Sequence, residues 1–291
     1  MRALPSIGLG TAALGDRDIP EAVAQATFEA ALARGVGYFD TAPLYGGGLS
    51  ERRLGRALAG LRDRPFVSTK VGYRVGFPEG TRQPPGERVL DFSFDHVRQS
   101  VEASLVRLGL DHVDLVYLHD VPDVAQSEAA VSALCDLKDE GMIGGIGLGT
   151  TDSALAVAMV AHHDLDAVLI ALRHTLLDRS AEQRLFPVAL GKDTAIVAGG
   201  IFSSGILADP ASARFDYAPA SAERLAQARR LAASADRHGV SLKAAALHFV
   251  AGDPRVTTTL LGAASTAELT ECLNLLASHL PSGALADIAS A

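Results

Sequence analysis

The sequence predicts an α/β fold in which parallel βα units close into a single (β/α)8 barrel, the TIM barrel. Short apolar runs rich in β-branched residues alternate with longer stretches at helical period, a pattern typical of parallel βα units. The chain has 291 residues and holds eight such units, and a barrel of this kind needs about 250 residues. We therefore expect residues 1–291 to form one barrel, with no room for a second domain.

The predicted strands are short apolar runs. In chain order they are Ile7–Ala12, Tyr38–Thr41, Phe66–Val71, Val113–His119, Gly145–Gly149, Ala167–Leu172, Thr194–Ala198 and Thr258–Gly262.

The predicted helices lie between these strands and have suitable first and last residues. In chain order they are Pro20–Arg34, Ser50–Leu61, Phe94–Leu108, Ser127–Glu140, Asp152–Ala161, Ala181–Leu190, Ser221–His238 and Thr266–Leu276. Ser50, Asp152 and Pro20 are typical of helix starts. Four glycines follow helical patterns at positions where a left-handed C-terminal cap is expected, namely Gly35, Gly109, Gly141 and Gly239.

A doubly wound sheet with a dinucleotide-binding fingerprint is the alternative fold, because glycines cluster at Gly8–Gly10 and Gly145–Gly149. Neither cluster completes the pattern G-x-G-x-x-G, since Ala13 and Asp152 occupy the closing positions. We therefore prefer the barrel. Two long connections, Gly72–Ser93 and Gly200–Pro219, are candidate lids, since loops after barrel strands build the active face.

Composition and charge exclude several classes of protein. With 48% hydrophobic and 21% charged residues, the chain belongs with folded globular proteins. The net charge of −8 argues against a nucleic-acid partner. The longest apolar runs are too short to span a membrane, and Met1–Leu14 lacks a signal pattern, so we expect a cytoplasmic protein. The two cysteines, Cys135 and Cys272, form neither a disulfide framework nor a metal-binding spacing.

Polar residues end three consecutive predicted strands. Asp40 closes the second strand, Lys70 lies near the end of the third, and His119 closes the fourth. The carboxyl ends of all strands open onto one face of a parallel barrel. We therefore expect these three side chains to lie side by side, with Tyr45 reaching them from the following loop.

This combination predicts acid–base chemistry. Each residue alone has an ordinary structural explanation, as a solvated charge, a packed loop tyrosine or a hydrogen-bonded core histidine. Together they are more specific, because a buried lysine beside a carboxylate stays charged and favours the phenolate of a nearby tyrosine. We expect Lys70 to lower the pKa of Tyr45, which then exchanges a proton near neutral pH.

Several segments resemble the aldo-keto reductase superfamily, whose fold is a (β/α)8 barrel. They are Phe39–Gly46 with Leu49–Glu51, Ser68–Lys70 and Asp114–His119. The resemblance covers essentially the whole chain. It implies that Tyr45 is the general acid/base, that Lys70 and Asp40 tune it, and that His119 orients the substrate oxygen. Hydride passes directly between substrate and nicotinamide in this superfamily, so no metal is implied.

Two further segments, Leu172–Asp178 and Gly199–Leu207, are similar to the aldose 1-dehydrogenase branch. That branch includes L-fucose (D-threo-aldose), L-galactose and pyridoxal dehydrogenases. The resemblance implies oxidation of an aldose such as L-fucose, D-arabinose or L-galactose at C1 to the lactone. It places Tyr45, His119 and Arg173 near the substrate, although Arg173 equally suits a structural salt bridge.

The resemblance also implies an NAD or NADP cofactor. The cofactor contacts that it implies are Thr11, Asp40, Thr150, Ser203, Gly205, Leu207, Gly262, Ala263, Ser265, Glu268 and Glu271. Two positions depart from the superfamily pattern. Gly149-Thr150 replaces a common Ser-Asn pair, and Gly199-Gly200 stands where many members have an aromatic residue that stacks on nicotinamide.

Glu268 favours NAD over NADP. NADP-preferring members place basic side chains in this last βα turn, whereas this chain has Ala264 and Glu268. A carboxylate repels a 2′-phosphate and can accept hydrogen bonds from a free ribose diol. Glu268 also suits a plain structural role, as an acid in the first turn of a helix.

The leading hypothesis is thus an NAD-dependent aldose 1-dehydrogenase that acts as a monomer or homodimer. The alternatives are an aldehyde or ketone reductase, a pyridoxal 4-dehydrogenase, and a nucleotide-binding redox sensor or regulatory subunit. Two other features have simpler explanations. His162-His163 is interpreted as a solvated pair, because adjacent helical residues do not share a face. Asp120 is expected to point away from the pocket.

Overall fold

The computed structural model of this protein describes residues 1–84 and 86–291, and the backbone of Pro85. Eight parallel strands close into a barrel in the order β1-β10-β7-β6-β5-β4-β3-β2. Their bounds are β1 (Ile7–Gly10), β2 (Tyr38–Asp40), β3 (Phe66–Val71), β4 (Leu115–His119), β5 (Ile146–Thr150), β6 (Ala167–Ala171), β7 (Ala195–Gly199) and β10 (Thr258–Gly262). The predicted (β/α)8 barrel is confirmed, and the doubly wound alternative is wrong because β1 pairs with both β2 and β10.

Helices pack around the outside of the barrel. They are α1 (Glu21–Ala33), α2 (Leu49–Leu58), α3 (Phe94–Leu108), α4 (Val124–Asp139), α5 (Ser153–His162), α6 (Ser180–Gly191), α7 (Ala222–Arg237), α8 (Leu242–Ala251), α9 (Thr266–Ala277) and α10 (Ala284–Ala289). All four glycines predicted as C-terminal caps have positive φ, between 64° and 78°. No helix among the described residues is both long and apolar enough to cross a membrane.

Helices α8 and α10 and one small hairpin were not predicted from the sequence. α8 has no polar face to reveal its period, because six of its ten residues are buried. Its start is nevertheless marked by Ser241, whose side chain accepts a hydrogen bond from the Ala244 N–H. The hairpin consists of β8 (Arg214–Phe215) and β9 (Ala218–Pro219), and it lies in the long connection after β7.

The predicted cap at Ser50 is wrong. α2 begins at Leu49 after Gly48, and Ser50 lies inside the helix with no exposed surface. Its hydroxyl binds those of Thr11 at 2.6 Å and Thr41 at 2.9 Å. Ser50 therefore fastens α2 to the ends of β1 and β2 instead of capping the helix.

The barrel interior has its own core, separate from the layer between strands and helices. It contains Tyr38, Phe66, Leu115, Tyr117, Ala167, Leu169, Val197 and Leu260. A Cβ on Gly147 would lie 2.6 Å from Cδ1 of Tyr117, so the glycine in β5 makes room for this ring. The glycine cluster at residues 145–149 thus has a packing cause.

Candidate active site

The ends of β2, β3 and β4 bring a buried ion pair to the mouth of the barrel. Lys70 Nζ donates to Asp40 Oδ2 at 2.6 Å and to the Thr41 carbonyl at 2.9 Å. Both side chains are almost fully buried, at 2% and 4% exposed. A buried charge is costly unless it is paired and hydrogen-bonded, and this pair meets that condition.

Tyr45 lies over this pair. It belongs to the turn after β2, where its N–H donates to the Ala42 carbonyl at 3.0 Å. The next residue, Gly46, has φ 64°, and a Cβ there would lie 1.8 Å from the Gly15 carbonyl oxygen. Only glycine fits this close approach, and the turn places the Tyr45 ring centre 4.6 Å from Lys70 Nζ.

Burial and charge compete at these two residues. Burial lowers the pKa of Lys70, but Asp40 and Tyr45 more than offset this effect, so the pKa of Lys70 is raised. Burial raises the pKa of Tyr45, and the positive charge of Lys70 offsets only part of the increase. We expected Lys70 to lower the pKa of Tyr45. This prediction is wrong, because burial outweighs the charge of Lys70 and the net pKa is raised.

His119 completes the cluster as a neutral ring. Its ring centre lies 6.1 Å from that of Tyr45, and the two rings are nearly perpendicular. Burial, together with the charges of Lys70 and Arg88, lowers the pKa of His119 well below its ordinary value. At neutral pH the ring has one N–H that can donate a hydrogen bond.

Asp120 does not point away from the site, contrary to expectation. Its φ of 54° turns the side chain back, so that Oδ2 lies 3.8 Å from His119 Nε2. Oδ2 also accepts a hydrogen bond from the Tyr73 hydroxyl at 3.0 Å, and the Tyr73 ring centre lies 5.1 Å from that of His119. Burial and then Asp120 raise the pKa of Tyr73 to about 12.

A chain of hydroxyl groups inside the barrel supports Asp40. Ser68 Oγ donates to Asp40 Oδ1 at 2.7 Å, so its own acceptor position is free for the Tyr38 hydroxyl at 2.8 Å. The Tyr38 oxygen in turn accepts from the Tyr117 hydroxyl at 3.0 Å. All four residues are buried. The signal in the sequence was alternation, because these residues face inward on β2, β3 and β4.

Three predicted cofactor contacts are buried and engaged elsewhere. Thr11 has no exposed surface, and its hydroxyl donates to the Asp40 carbonyl at 3.0 Å. Ser203 is likewise fully buried, and its hydroxyl donates to Thr175 Oγ1 at 3.0 Å. Leu207 packs in a second hydrophobic cluster under α7 and α8. The hydroxyls of Thr11 and Ser203 are thus bonded within the protein, and the Leu207 side chain belongs to the core.

Thr150 and Gly205 each have a role in the local structure. Thr150 is 5% exposed, and its Oγ1 accepts from the Asp152 N–H at 3.0 Å. Gly205 has φ 108° and turns the loop after β7.

The remaining predicted cofactor contacts surround the turn between β10 and α9. Gly262 is exposed and Ala263 is buried. Ser265 caps the N-terminus of α9, where its side chain accepts a hydrogen bond from the Glu268 N–H. Glu268 Oε2 accepts from the Ala264 N–H at 2.9 Å. Glu271, one turn later, pairs with Lys243 at 2.6 Å and is thus turned toward α8.

Arg173 is a structural clamp, so the expected contact with substrate is not supported. Its guanidinium donates to the Thr151 carbonyl at 2.7 Å, to Asp178 at 3.3 Å and to Asp216 at 2.9 Å. Asp216 lies in the turn between β8 and β9. Arg173 therefore ties the hairpin to the loop after β6.

Comparisons with known proteins agree with the barrel fold and with the resemblance stated above. Residues 6–291 match the sequence model of the Aldo/keto reductase family. The chain is 36% identical to a D-threo-aldose 1-dehydrogenase from a Pseudomonas species over an alignment of 312 residues, covering 99% of this chain and 94% of that protein. It is 35% identical to a pyridoxal 4-dehydrogenase from Microbacterium luteolum, covering 91% of this chain and 87% of that protein.

A solved structure has the same architecture. The holo form of an aldo-keto reductase from Bacillus halodurans superposes with a TM-score of 0.79 at 25% identity, covering 98% of this chain and 91% of that one.

Proposed function

The chain belongs to the aldo/keto reductase family, and on that premise we propose that it is an NAD-dependent aldose 1-dehydrogenase. It oxidises an aldose of the L-fucose, D-arabinose or L-galactose type at C1 to the lactone. The observation that carries this proposal is the position of the Tyr45 phenol over the buried Lys70–Asp40 pair, beside a neutral His119. The likeness to a D-threo-aldose 1-dehydrogenase supports the choice of substrate class.

The turn between β10 and α9 suits the nucleotide. The N-terminus of α9 has a partial positive charge that favours phosphate. A Cβ on the exposed Gly262 would meet no atom within 4 Å, so a ligand can approach the backbone there. Gly262, Ala263 and Ser265 would hold the cofactor. When bound, the cofactor would supply the acceptor for the hydride that leaves C1 of the sugar.

Tyr45 acts as the general base in this oxidation. Its phenolate oxygen takes the proton of the anomeric hydroxyl while the C1 hydrogen leaves with the electron pair, so that C1 and its oxygen form the lactone carbonyl. The ammonium group of Lys70 stabilises the phenolate by its charge, and Asp40 holds that ammonium in place. The site thus offsets part of the cost of forming a phenolate in a buried position.

His119 orients the sugar. Its neutral ring donates one N–H to the anomeric oxygen, and it leaves proton abstraction to Tyr45. The Asp120 carboxylate, 3.8 Å from His119 Nε2, and the Tyr73 ring, 5.1 Å away between ring centres, limit how the histidine can turn. The substrate oxygen is thereby held between the histidine N–H and the phenol.

We further propose that the enzyme prefers NAD to NADP. The Glu268 carboxylate accepts from the Ala264 N–H at 2.9 Å, which places a negative charge beside the turn that would hold the nucleotide. A 2′-phosphate is repelled there, whereas a free ribose diol can donate to the carboxylate.

The substrate proposal is tested by following NADH absorbance at 340 nm with a panel of sugars that includes L-fucose, D-arabinose and L-galactose. We expect turnover with at least one of them, and no turnover by the Tyr45→Phe variant, which should still bind NAD. A wild-type enzyme inactive on every sugar would rule out the substrate class. An active Tyr45→Phe enzyme would remove the assigned base.

Pyridoxal is the second candidate substrate, because a pyridoxal 4-dehydrogenase is almost as similar to this chain as the aldose enzyme. The same assay with NAD and pyridoxal separates the two. Faster rates with NADH and small aldehydes would instead favour a reductase. NAD binding without turnover on any of these compounds would favour a nucleotide sensor.

The cofactor preference is tested by comparing kcat/KM for NAD and NADP. We expect the ratio to favour NAD in the wild type and to fall in Glu268→Gln. Glu271→Gln is the matched control, because Glu271 is paired with Lys243 and should leave the ratio unchanged. A wild-type preference for NADP would contradict the proposal.

A further inference from the structure

Outside the candidate active site, the described residues contain a group of three metal-ligating side chains between α4 and α5. It consists of Glu128, His162 and His163, and one ligand atom from each residue lies within 4.8 Å of the others. We propose that these three residues bind a divalent transition-metal ion, with Zn²⁺ as the preferred occupant.

The interpretation of His162-His163 as a solvated pair is wrong for His163. α5 ends at His162, and His163 has extended backbone angles of φ −108° and ψ 154°. The rule that adjacent residues face apart holds only inside a helix. Beyond the helix end, the two rings come together with their centres 4.6 Å apart, and His163 is only 8% exposed.

The hydrogen bonds of Ser127 fix which nitrogen of His163 is free. Ser127 Oγ donates its one proton to the Val124 carbonyl at 2.6 Å. It must therefore accept from His163 Nε2, which lies 2.7 Å away. A neutral His163 ring with a proton on Nε2 has a lone pair on Nδ1. In a metal-binding histidine, the ring nitrogen that does not bind the metal usually donates a hydrogen bond, which fixes the orientation of the ring.

The other two ligands already face each other. His162 Nε2 lies 2.7 Å from Glu128 Oε1, and both side chains are exposed, at 51% and 58%. Zn²⁺ bonds of about 2.0–2.1 Å place tetrahedral ligands about 3.3 Å apart. Rotation of the two exposed side chains can close the remaining distance. The ion would replace the proton shared by His162 and Glu128, and that proton would be released to solvent.

Charge and ligand type agree on the class of ion. The last turn of α5 presents the negative end of its dipole to the group, which favours a cation. Two imidazoles and one carboxylate favour Zn²⁺ and related transition metals over Mg²⁺ or Ca²⁺, which prefer oxygen ligands. With three protein ligands, the fourth position is left for water. The bound ion would join the first turns of α4 to the end of α5.

The test is isothermal titration of the full-length, tag-free protein with Zn²⁺ after treatment with a chelator and its removal. We expect one Zn²⁺ per chain, visible d–d absorption of tetrahedral Co²⁺ in a parallel titration, and no comparable binding of Mg²⁺. Glu128→Gln and His162→Gln should each weaken Zn²⁺ binding by at least about tenfold. Both positions are exposed, so the fold should be kept, as circular dichroism would show.

The matched control is His238→Gln, which breaks an exposed His–carboxylate pair with Asp287 at 3.3 Å and should leave Zn²⁺ binding unchanged. Ser127→Ala removes the support of His163 and should weaken binding by about tenfold. The proposal is overturned if the wild type binds no Zn²⁺ or if the Glu128 and His162 variants bind it as tightly as the wild type, which would indicate an adventitious ion only.

Discussion

At the scale of single residues, the Tyr45 phenol is subject to two opposing effects. Burial disfavours the phenolate, while the ammonium of Lys70, 4.6 Å from the ring centre, favours it. The balance depends on a lysine that remains charged although it is 2% exposed. Asp40 makes this possible, because a buried lysine without a charged partner would lose its proton.

The first prediction separates the charge of Lys70 from its role in folding. Lys70→Met should lower kcat/KM by about 10²–10⁴-fold, the usual contribution of acid–base catalysis. It should also destabilise the fold by about 3–5 kcal/mol, because Asp40 is left buried without a partner.

The control is the double variant Asp40→Asn with Lys70→Met, which removes both charges of this buried pair. It should recover most of the free energy of unfolding, measured with urea, but none of the activity. If activity returned along with stability, the loss in Lys70→Met would be a folding defect, and the electrostatic role of Lys70 would be excluded.

The second prediction follows from the lowered pKa of His119. Burial, Lys70 and Arg88 keep the folded-state pKa well below 6.5, so in acid the unfolded chain binds a proton that the folded chain does not. His119 therefore stabilises the fold fully above pH 6.5 and loses this contribution as the pH falls toward its folded pKa. Between pH 7.5 and 5.5 the loss is at most about 1.4 kcal/mol, the limit for a ring that stays neutral in the folded state.

Urea unfolding of the wild type and of His119→Gln at these two pH values measures this contribution. His163 and His174 also have lowered pKa values and titrate in both proteins, so the difference between the two proteins isolates His119. Equal pH dependence in both would mean that His119 takes up a proton as readily in the folded protein as in the unfolded chain, so that its pKa is not lowered.

At the scale of elements, the tip of the β8–β9 hairpin is linked electrostatically to the candidate active site. Loss of water around its phenol, and then the charges of Tyr45 and Asp120, raise the pKa of Tyr217 to about 12, although the residue as a whole is 65% exposed. The charges of Tyr45 and Asp120 thus act on the tip of the hairpin. Arg173 holds it through Asp216 at 2.9 Å.

The third prediction is that Asp216→Asn loosens this hairpin. An exposed ion pair contributes about 0.2–1 kcal/mol, so KM for the sugar should rise by up to about fivefold while kcat changes little. Steady-state kinetics would show the split. Arg98→Gln, which breaks the exposed pair of Arg98 with Glu140 at 2.9 Å, is the matched control and should leave KM unchanged. A fall in kcat at constant KM would indicate that the hairpin acts on the chemical step.

At the scale of the whole molecule, the barrel is closed around a packed interior. The rings of Tyr38 and Tyr117 fill its centre. The Tyr117 hydroxyl donates to Tyr38 and the Tyr38 hydroxyl to Ser68, which in turn donates to Asp40. The core that stabilises the barrel is therefore in direct contact with the buried ion pair. We therefore expect changes in packing at β5 to alter the stability of the whole barrel.

The fourth prediction is that Gly147→Ala overpacks this interior. The added Cβ would lie 2.6 Å from Cδ1 of Tyr117 and 2.8 Å from the Ala167 carbonyl oxygen. We expect a loss of about 1–3 kcal/mol, seen as a Tm lowered by about 2–10 °C. Gly191→Ala is the matched control, because a Cβ there meets nothing within 4 Å and alanine favours the helix. Equal Tm values for the two variants would contradict the packing role of Gly147.

Much of the architecture could be predicted from local patterns in the sequence. The eight strands, and the eight helices assigned between them, follow from apolar periodicity and from residues at helix ends. α8 was missed because its two polar residues, Lys243 and His248, do not mark a polar face among six buried residues. The hairpin was missed because strands of two residues have no period. The barrel also explains why Asp40, Lys70 and His119 could be grouped without coordinates, since each ends or nearly ends one of three consecutive strands.

The sequence by itself therefore determined the barrel, the residues at the ends of its strands and the family, because strand periodicity and order along the chain are local properties. Only the tertiary structure decided that Asp120 faces His119, that Arg173 is bound to Asp178 and Asp216, and that His163 turns back toward His162. It also decided the direction of the Tyr45 pKa shift. The positions of Asp120 and His163 depend on the backbone turns that end β4 and α5. The contact of Arg173 with Asp216 and the pKa of Tyr45 depend on burial and on residues distant in the chain, which local patterns do not record.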